Sequence, residues 1–283
     1  TAYEIMPSLV GSEMCIRDSL RDLDTVMKTC GDIDIIFNLA SIISIPYSYR
    51  SPSHVIKNNI ELTLNLLTAV REYDLKMIHT STSEVYGTAR YIPIDEKHPL
   101  QAQSPYSASK IAADKIVESF HLSYDLDITI IRPFNTYGPR QSARAIIPNI
   151  ITQALVSDKI KLGSLSPTRD FTFVKDIVKG FVLAAKKDNI SGEVINLGTN
   201  FEISIEELAN KIINLIGKEK KIITEKRRVR PSKSEVKRLR CDNRKALKLL
   251  CWKPEIKLEE GLKKTIEWIR KNINIYKPHV YNI

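Results

Sequence analysis

The sequence predicts an α/β fold in which helices cover both faces of a parallel sheet. From Asp34 to Phe134, short apolar runs alternate with longer segments that carry apolar residues at helical spacing. Strands and helices that alternate in this way form parallel sheets, because each helix returns the chain to the start of the next strand. Ligands of such sheets bind beyond the carboxyl ends of the strands. The polar residues that follow each predicted strand are therefore the first candidates for a functional site.

The first part of the chain predicts three strands and two helices. The strands are short apolar runs, typical of strands that are buried on both faces. The helices carry apolar residues on one face, and a proline lies near the start of each, as is common in the first turn of a helix. In order, these elements are a strand at Ile35–Ala40, a helix around Val55–Val70 with Pro52 near its start, a strand at Lys76–Ser83, a helix from Ser104 and Pro105 to about Tyr124, and a strand at Ile128–Phe134.

The second part mixes helices with short strands and predicts a smaller lobe that forms one wall of a cleft. In order, its elements are a helix at Ile146–Val156, the segment RDFTFVKD, a helix that ends at Lys186, the strand EVINLG, the helix IEELANKIINLIG and a closing helix at Leu258–Lys271. We expect the sheet domain to span residues 20–140 and the lobe to span mainly residues 141–275, with some segments returning to the sheet. No internal repeat or low-complexity linker separates the two parts.

Length and composition exclude several classes of protein. With 283 residues, of which 43% are hydrophobic, the chain can form a sizeable core. It contains no run of 18 apolar residues and no basic segment followed by an apolar one, so we expect neither a membrane span nor a secretory signal. The four cysteines form no CxxC pair and no metal-ligand spacing, which indicates reduced thiols, a cytoplasmic protein and no metal site.

Much of the net charge of +10 comes from the segment Lys218–Arg240, which holds eleven Lys or Arg against three Glu. Such a run is usually a solvated face, and the alternatives are binding of a phosphorylated small molecule or of nucleic acid. Neither an RNA-binding aromatic motif nor a zinc-finger spacing accompanies the run, so the sequence does not favour nucleic acid as a partner.

Candidate catalytic residues follow the second predicted strand and open the next helix. Thr82, Ser83 and Glu84 come at the end of the strand, and Tyr106 and Lys110 are spaced so that both project from one face of the helix. An ammonium group beside a phenol lowers the phenol's pKa from about 10, which lets the tyrosine act as an acid or base near neutral pH. The Thr82 hydroxyl is placed to share a substrate oxygen with Tyr106. This order of Ser/Thr, Tyr and Lys on an α/β pattern indicates nicotinamide-dependent hydride chemistry.

Several segments together resemble the extended short-chain dehydrogenases/reductases, and among them the nucleotide-sugar epimerases and 4,6-dehydratases. The resemblance covers about Leu20 to Trp268, and it rests on FNLAS, NNIELTLNLL, TSTSEVYG, SPYSASK, RPFNTYGPRQ, RDFTFVKD, EVINLG and RPSKSEVKRLRCDNRKA. It implies a Rossmann-like, doubly wound parallel sheet that binds NAD or NADP, with a smaller α/β lobe for a nucleotide sugar. Within this family, the chain is most similar to the bacterial N-acetylglucosamine-nucleotide 4,6-dehydratases of the legionaminic-acid type.

The resemblance assigns a reaction to the residues at the strand ends. Tyr106 takes the proton of the C4 hydroxyl, and Glu84 takes the C5 proton before water leaves from C6. Dehydratases of the family have Thr-Asp-Glu or Thr-Ser-Glu at this point, and this chain has Thr82, Ser83 and Glu84. The Thr-Asp-Glu enzymes use the Asp as the acid for water loss. Since Ser83 is a poor acid, the newly protonated Glu84 or a bound water delivers the proton for water loss. A C4 epimerase needs no carboxylate there and is the alternative activity, and a non-catalytic RNA-binding member of the same fold is a further one.

The resemblance also implies how the ligands are held. The cofactor-facing residues are Leu39, Ala40, Ser41, Tyr106 and Lys110, and the substrate-binding residues are Asn135, Arg169 and Arg230. Guanidinium groups suit the geometry of a diphosphate. The cofactor stays bound through turnover, because the hydride that leaves C4 returns at C6. The choices between UDP and GDP and between NAD and NADP stay open.

Assembly is a further implication of the resemblance. In dimers of the family, the helices that correspond to Val55–Val70 and Tyr106–Tyr124 pair into a four-helix bundle. We therefore expect a homodimer through these two helices.

Residues 1–19 fit neither apolar period. A dinucleotide-binding domain begins with a strand, a glycine-rich turn and a helix whose N-terminus holds the pyrophosphate, and neither GxGxxG nor GxxGxxG occurs in the chain. The stretch PSLVGSEMCIRDS resembles translated sequencing-adapter material. We therefore expect residues 1–19 to be a non-native segment on a chain whose first βαβ unit is missing, with a divergent natural N-terminus as the alternative. On this interpretation, residues 1–283 alone bind the cofactor poorly and lack activity.

Overall fold

The computed structural model describes residues 20–217 and 219–277, so the predictions for residues 1–19 and for Lys218 lie outside the described residues. The strands are β1 (Ile35–Asn38), β2 (Lys76–Thr80), β3 (Ile128–Pro133), β4 (Asn135–Tyr137), β5 (Lys159–Leu162), β6 (Thr168–Arg169), β7 (Phe171–Phe173), β8 (Val194–Leu197), β9 (Ile203–Ser204) and β10 (Lys221–Thr224). The helices are α1 (Leu23–Cys30), α2 (Ile45–Arg50), α3 (Pro52–Tyr73), α4 (Pro105–Tyr124), α5 (Ile146–Val156), α6 (Val174–Lys186), α7 (Ile205–Ile216), α8 (Arg244–Leu250) and α9 (Leu258–Lys271). Single 3-10 turns lie at Ser83–Tyr86, Lys226–Arg228 and Ile273–Ile275.

The central sheet is parallel and has the order β1-β2-β3-β8. Its register places Phe37 beside Ile78 and Ile131 beside Ile195. Since the strands run in one direction, their carboxyl ends lie along the same edge of the sheet. The predicted α/β fold with a parallel, Rossmann-like sheet is confirmed.

Helices cover both faces of this sheet. Alternate residues of a strand point to opposite faces, so Met77 and Ile130 pack with α1, α3 and α4, whereas Ile78 and Ile131 pack with α6 and α8. The apolar side chains of β2 and β3 are buried on both faces, which explains why these strands read as continuous apolar runs rather than as alternating patterns. The expectation of burial on both faces is wrong for β1, where Ile36 is buried but Ile35 and Phe37 are exposed.

Helix α4 has strong start and stop signals in its sequence. Ser104 and Ser107 form a capping box, Pro105 occupies the first turn, and Asp125 ends the helix in the left-handed conformation. Residue Asp74 ends α3 in the same conformation. Because these signals are local, the predicted limits of α4 agree with the observed ones, and its first turn lies at the carboxyl edge of the sheet.

The second lobe has its own apolar core. It is formed mainly by α5, α7 and α9 together with β4, β5 and β7, and Tyr137, Ile150 and Leu208 are among its fully buried side chains. Three two-stranded pairs, β5 with β10, β4 with β7 and β6 with β9, surround this core. Strand β8 lies later in the sequence than much of the lobe but pairs with β3 in the central sheet. The boundary between residues 140 and 141 stays a prediction.

Asp170 ties the lobe to the carboxyl end of β8. Its carboxylate accepts hydrogen bonds from the backbone N–H groups of Thr199 (2.8 Å), Asn200 (2.9 Å) and Cys241 (3.1 Å) and from the Thr199 hydroxyl (2.6 Å). Burial raises the pKa of Asp170 to about 6, although these hydrogen bonds act in the opposite direction. The carboxylate therefore has a structural role between β6 and the loops that follow β8.

The first two predicted strands end two to three residues earlier than expected, the third ends one residue earlier, and the strand within EVINLG is one residue shorter at each end. The second strand ends at Thr80 rather than Ser83, because Thr82 caps the 3-10 turn Ser83–Tyr86, and the first ends at Asn38 rather than Ala40. The segment IPYSYR, for which no element was predicted, forms α2. With six residues it is too short to show a helical period.

Candidate active site

The turn after β2 brings Thr82, Ser83 and Glu84 to the carboxyl edge of the sheet. The Thr82 hydroxyl oxygen accepts a hydrogen bond from the Glu84 N–H at 3.2 Å, which caps the 3-10 turn. Gly87 ends this turn at φ +63°, where a Cβ atom would meet Gln101 O at 2.8 Å. The close backbone approach restricts this position to glycine. Glu84, within the turn, is only 9% exposed.

The first turn of α4 places Tyr106 against this turn. Tyr106 is 6% exposed, and its phenol faces the Thr82 hydroxyl. One helical turn later, the Lys110 ammonium donates a hydrogen bond to the Thr80 carbonyl oxygen at 2.6 Å. Thr82, Glu84, Tyr106 and Lys110, which the sequence placed in two separate motifs, therefore lie together.

The sequence-based expectation that Lys110 lowers the pKa of Tyr106 is wrong for this structure. Burial raises the pKa of Tyr106, and the carboxylates of Glu84 and Asp114 raise it further, whereas the Thr82 hydroxyl lowers it. The ammonium of Lys110 donates to the Thr80 carbonyl oxygen, and Asp114 is the charge that acts on it. Burial also lowers the pKa of Lys110 to about 8, against the opposing effect of Asp114.

The second lobe contributes one wall of the site, which contains two arginines and a glutamate. Arg169 on β6 is 5% exposed, and the guanidinium groups of Arg169 and Arg230 each lie 3.5 Å from the Glu235 carboxylate. Burial lowers the pKa of Arg169, and the negative charges of Glu84 and Glu235 counteract this effect. Glu84 and Arg169 therefore lie within electrostatic reach of each other.

The segment that carries Glu235 is held against the sheet domain. Tyr49 on α2 makes a 2.6 Å hydrogen bond to the Ser234 hydroxyl, and the Gln103 amide donates to the Lys233 carbonyl oxygen at 2.9 Å. Sequence reasoning missed these contacts and Glu235 itself. An acidic residue within a basic run is a weak signal, because its partners are not fixed by spacing.

The predicted cofactor-facing and sugar-facing residues line the same edge. Leu39 is 66% exposed, and Ala40 and Ser41 are partly buried. Ser41 Oγ, Thr80 Oγ1 and Asn135 Oδ1 are buried atoms without a hydrogen-bond partner among the described residues. Native proteins leave few buried polar groups unpaired, so these three atoms are candidates for contact with a ligand.

Below the site, sequence reasoning missed a buried network of charges. The Asp114 carboxylate pairs with Arg132, and Arg132 also donates to the Tyr86 hydroxyl at 3.0 Å. Tyr86 in turn donates to Asn196 Oδ1 on β8 at 2.7 Å. The spacing of Lys110 and Asp114 on α4 was a usable signal, because it puts both side chains on one helix face.

In the described part of the basic segment, residues 219–240, several arginines are paired with acidic or amide side chains. Arg230 pairs with Glu235, Arg238 with Glu202, and Arg240 donates to the Asn200 side chain. This pairing with nearby carboxylates and amides fits a solvated face better than a nucleic-acid surface. Binding of a phosphorylated small molecule by this segment stays a prediction.

Residues 20–217 and 219–277 also bear on metal sites, membrane spans and disulfides. In this part of the chain, no group of three or more His, Cys, Asp or Glu side chains is arranged to hold a metal ion. None of the helices described there combines the length and hydropathy that a membrane span requires. Cys30 and Cys241 are buried and Cys251 is exposed, and all three are free thiols.

Comparisons with known proteins agree on one kind of chemistry. Residues 11–265 match the family model described as GDP-mannose 4,6 dehydratase. The chain is 35% identical to a UDP-glucose 4-epimerase of Mycolicibacterium smegmatis over 84% of this chain and 76% of the relative. It is 34% identical to the dTDP-D-glucose 4,6-dehydratase of Homo sapiens over 87% of this chain and 71% of the relative.

A solved structure supports the same grouping. The UDP-glucuronic acid 4-epimerase of Bacillus cereus, crystallised with UDP-glucuronic acid and NAD, superimposes with a TM-score of 0.82 at 31% identity. The match covers 87% of this chain and 78% of the crystallised one. Epimerases and dehydratases thus occur side by side among the similar proteins, and the choice between them depends on the residues of this site.

Proposed function

Since the chain belongs to the NAD-dependent nucleotide-sugar epimerase/dehydratase family of extended short-chain dehydrogenases/reductases, we propose that it is a nucleotide-sugar 4,6-dehydratase. The observation that carries this proposal is the burial of Glu84 beside Tyr106 and Arg169. A glutamate that served only as a polar residue of a surface turn would be exposed to solvent, because burying an ionised carboxylate costs free energy. A buried glutamate next to a buried tyrosine supplies the second base that dehydration needs.

The described residues fit the nicotinamide end of NAD. The unpaired Ser41 and Thr80 hydroxyl oxygens and the Lys110 ammonium lie at the strand ends where the family's cofactor is held. Leu39 and Ala40 add apolar surface at the same edge. When bound, NAD supplies a hydride acceptor for C4, a hydride donor for C6 and a positive charge on its oxidised ring.

Tyr106 is the residue that takes the proton from the C4 hydroxyl. Its buried phenol is neutral without help, because burial and two carboxylates raise its pKa. The Thr82 hydroxyl acts in the other direction and holds the phenol in place. General acid–base catalysis by a positioned side chain typically contributes about 10²- to 10⁴-fold in rate.

Glu84 is the base for the C5 proton, which becomes acidic once C4 is a ketone. The negative charge of Glu84 acts on the buried Arg169 guanidinium and opposes the effect of burial on the pKa of Arg169. The protonated Glu84 or a water then donates to the C6 hydroxyl as it leaves. Ser83 is 2% exposed, and its hydroxyl is too weak an acid to donate this proton.

Arg169, Arg230 and Asn135 are proposed to hold the substrate. Guanidinium groups bind phosphate oxygens in pairs, and Glu235 keeps the two arginines close to each other before the diphosphate arrives. The unpaired Asn135 carbonyl oxygen on β4 suits a sugar hydroxyl. By its resemblance to the legionaminic-acid type, we propose an N-acetylglucosamine nucleotide as the substrate.

The test is a product assay with the protein expressed from its complete reading frame. Incubation with UDP- and GDP-N-acetylglucosamine is expected to yield a product lighter by one water, which absorbs in alkali as a 4-keto sugar does. A product of unchanged mass with inverted C4 would replace the proposal with the epimerase alternative. Omission of each nucleotide in turn decides between UDP and GDP.

We also propose a homodimer through α3 and α4. These two helices pack on each other on one face of the sheet, and Leu64 (41%), Leu122 (75%) and Tyr124 (49%) are exposed on them. Light scattering at micromolar concentration is expected to give a dimer, and the double variant L64E/L122E is expected to give a monomer. The control is L247E, because Leu247 is equally apolar and 53% exposed but lies on α8, across the sheet. A monomeric wild-type protein would contradict the proposal.

A further inference from the structure

A buried ion pair lies one helical turn beyond Lys110. Asp114 Oδ2 accepts hydrogen bonds from Arg132 Nη2 (2.9 Å), Arg132 Nε (3.1 Å) and the Ser81 hydroxyl (2.7 Å). Asp114 is 2% exposed and Arg132 is 5% exposed. Burying two charges costs so much solvation that an apolar pair of similar size is often at least as stable. Stability alone therefore does not account for this pair.

The other oxygen of Asp114 is not satisfied by the pair. Asp114 Oδ1 has no hydrogen-bond partner among the described residues and lies 3.7 Å from His79 Nε2. The Asn38 amide donates to His79 Nδ1 at 3.1 Å, so the proton of the neutral ring is on Nε2 and faces Asp114. Burial, Lys110 and Arg132 hold the pKa of His79 well below its usual range. The histidine is neutral and does not neutralise the carboxylate.

Lys110 is the cation that Asp114 can still act on. The two residues lie four positions apart on α4, and Lys110 is 4% exposed with its ammonium bound to the Thr80 carbonyl oxygen. The titratable groups coupled to it by charge are Asp114 on α4 and His79 on β2. Arg132 is coupled to His79, and Tyr106 to Asp114 and Glu84, so these groups belong to the same cluster. Of these groups, Asp114 is the one whose charge raises the pKa of Lys110 against the effect of burial.

We propose that Asp114 is a positioning residue for Lys110, and that its carboxylate, oriented by Arg132 and Ser81, keeps the buried ammonium protonated beside the reacting tyrosine. The catalytic meaning of this inference rests on the proposed function, because Lys110 acts only if the site performs hydride chemistry. The electrostatic part concerns residues of this chain alone. Arg132 is itself anchored by Tyr86, which bonds to Asn196 on β8, so the orientation of the carboxylate is tied to the sheet.

The experiment measures the protonation of Lys110 directly. Protein labelled with carbon-13 lysine is titrated by NMR without substrate, and the Cε resonance of Lys110 is assigned with K110M. In D114N the pKa of Lys110 is expected to fall by about one pH unit, because the anion is gone. In R132M it is expected to rise, because the carboxylate loses its competing cation. S81A removes a hydrogen bond from the same oxygen without changing any charge, and should leave the titration nearly unchanged.

The pKa of Lys110 is expected to shift in opposite directions in D114N and R132M, and this difference separates an electrostatic role of Asp114 from a structural one. D114N and R132M break the same ion pair, so loss of structure would move the Lys110 titration in the same direction in both variants. That outcome, or an unchanged titration in D114N, would overturn the proposal. D114N leaves a buried guanidinium unpaired, so the double variant D114N/R132M, which removes both charges, provides a second test and is also expected to lower the pKa of Lys110.

The pH profile of turnover then connects the electrostatics to catalysis. In D114N the alkaline limb of kcat is expected to move to lower pH in parallel with the Lys110 titration, with KM nearly unchanged. If the protein is not a dehydratase, the NMR titration still tests the effect of Asp114 on the pKa of Lys110, because it is carried out without substrate. If the titration moves and the kcat profile of an active enzyme does not, Asp114 tunes Lys110 without positioning it for the reaction, and the catalytic part of the proposal is wrong.

Discussion

Charged side chains occur in two regions of this molecule with opposite character. At the carboxyl edge of the sheet, Lys110, Asp114, Arg132 and Arg169 are between 2% and 5% exposed. In the basic segment, arginines such as Arg238, whose side chain is 50% exposed, pair with nearby acceptors at the surface. The basic segment holds more charges than the sheet edge. Each buried charge at the sheet edge nevertheless interacts more strongly with its neighbours, because water screens exposed pairs. Net charge therefore gives little information about where this protein acts.

The largest effect is expected from removing the Tyr106 hydroxyl group, which is proposed to take the C4 proton. Y106F keeps the ring and its packing but deletes the atom that takes the C4 proton, so turnover should fall by about 10³-fold. Circular dichroism is expected to show an unchanged fold. The control is Y91F, since Tyr91 is 44% exposed and lies outside the site, and it should keep wild-type activity. Activity of Y106F within tenfold of wild type would show that the buried edge is not the reacting region.

Next in size is the loss of a diphosphate contact. R169M removes a buried guanidinium that is proposed to bind the substrate phosphates, and KM is expected to rise by about 10²-fold. Steady-state kinetics and the inhibition constant of the free nucleoside diphosphate measure this effect. The matched variant R238M removes an arginine of the basic segment and should leave KM unchanged. Equal losses in the two variants would mean that substrate is held by general positive charge.

A third prediction concerns the stability cost of a buried charge. Lys110 has a folded-state pKa of about 8, below its ordinary value of 10.5, so between these values the unfolded chain binds the extra proton. The cost is therefore fully present below pH 8 and disappears as pH rises toward 10.5, which means that stability increases with pH in this window. K110M should stabilise the fold by up to about 3 kcal/mol at pH 7 and by much less at pH 10.

Thermal unfolding at the two pH values checks this expectation. K115M is the control, because Lys115 lies on the same helix with a side chain that is 60% exposed. It is expected to change stability little at either pH. A gain for K110M that does not depend on pH would show that packing, rather than the buried charge, limits stability.

The smallest effect is expected in the basic segment. Arg238 forms a bidentate contact with Glu202, but at 50% side-chain exposure the pair is open to water and salt. R238A should reduce the free energy of unfolding by less than about 1 kcal/mol in a urea titration. A loss of more than about 2 kcal/mol would mean that surface ion pairs in this lobe contribute as much to the free energy of unfolding as the buried charges at the sheet edge.

The parts of the fold that could be predicted from sequence are those with local signals. The limits of α4 follow from Ser104, Pro105 and the apolar stripe, and α5 and α9 were located from their helical period. Strands β6 and β9 have two residues each, so they show no period and were not predicted. They exist because the lobe's core brings their backbones together.

The site could be predicted as a set of residue types but not as an electrostatic environment. Tyr106 and Lys110 were found from their spacing, yet spacing does not reveal that the ammonium binds the Thr80 carbonyl oxygen or that the phenol is buried. For this reason the expected direction of the Tyr106 pKa was wrong. Arg132 follows Asp114 by eighteen residues and meets it only after β3 enters the sheet. Such partners depend on tertiary packing, which no short motif encodes.

The central claim is that the buried Glu84 makes this site a dehydratase, and solvent deuterium tests it most directly. Turnover of the nucleotide sugar in D₂O by the protein from its complete reading frame should give a product that has lost one water and carries deuterium at C5. E84Q, which keeps the side-chain size but cannot take the proton, should form this product about 10²- to 10⁴-fold more slowly. A C4 epimer of unchanged mass, without deuterium at C5 and formed equally fast by E84Q, would contradict the account.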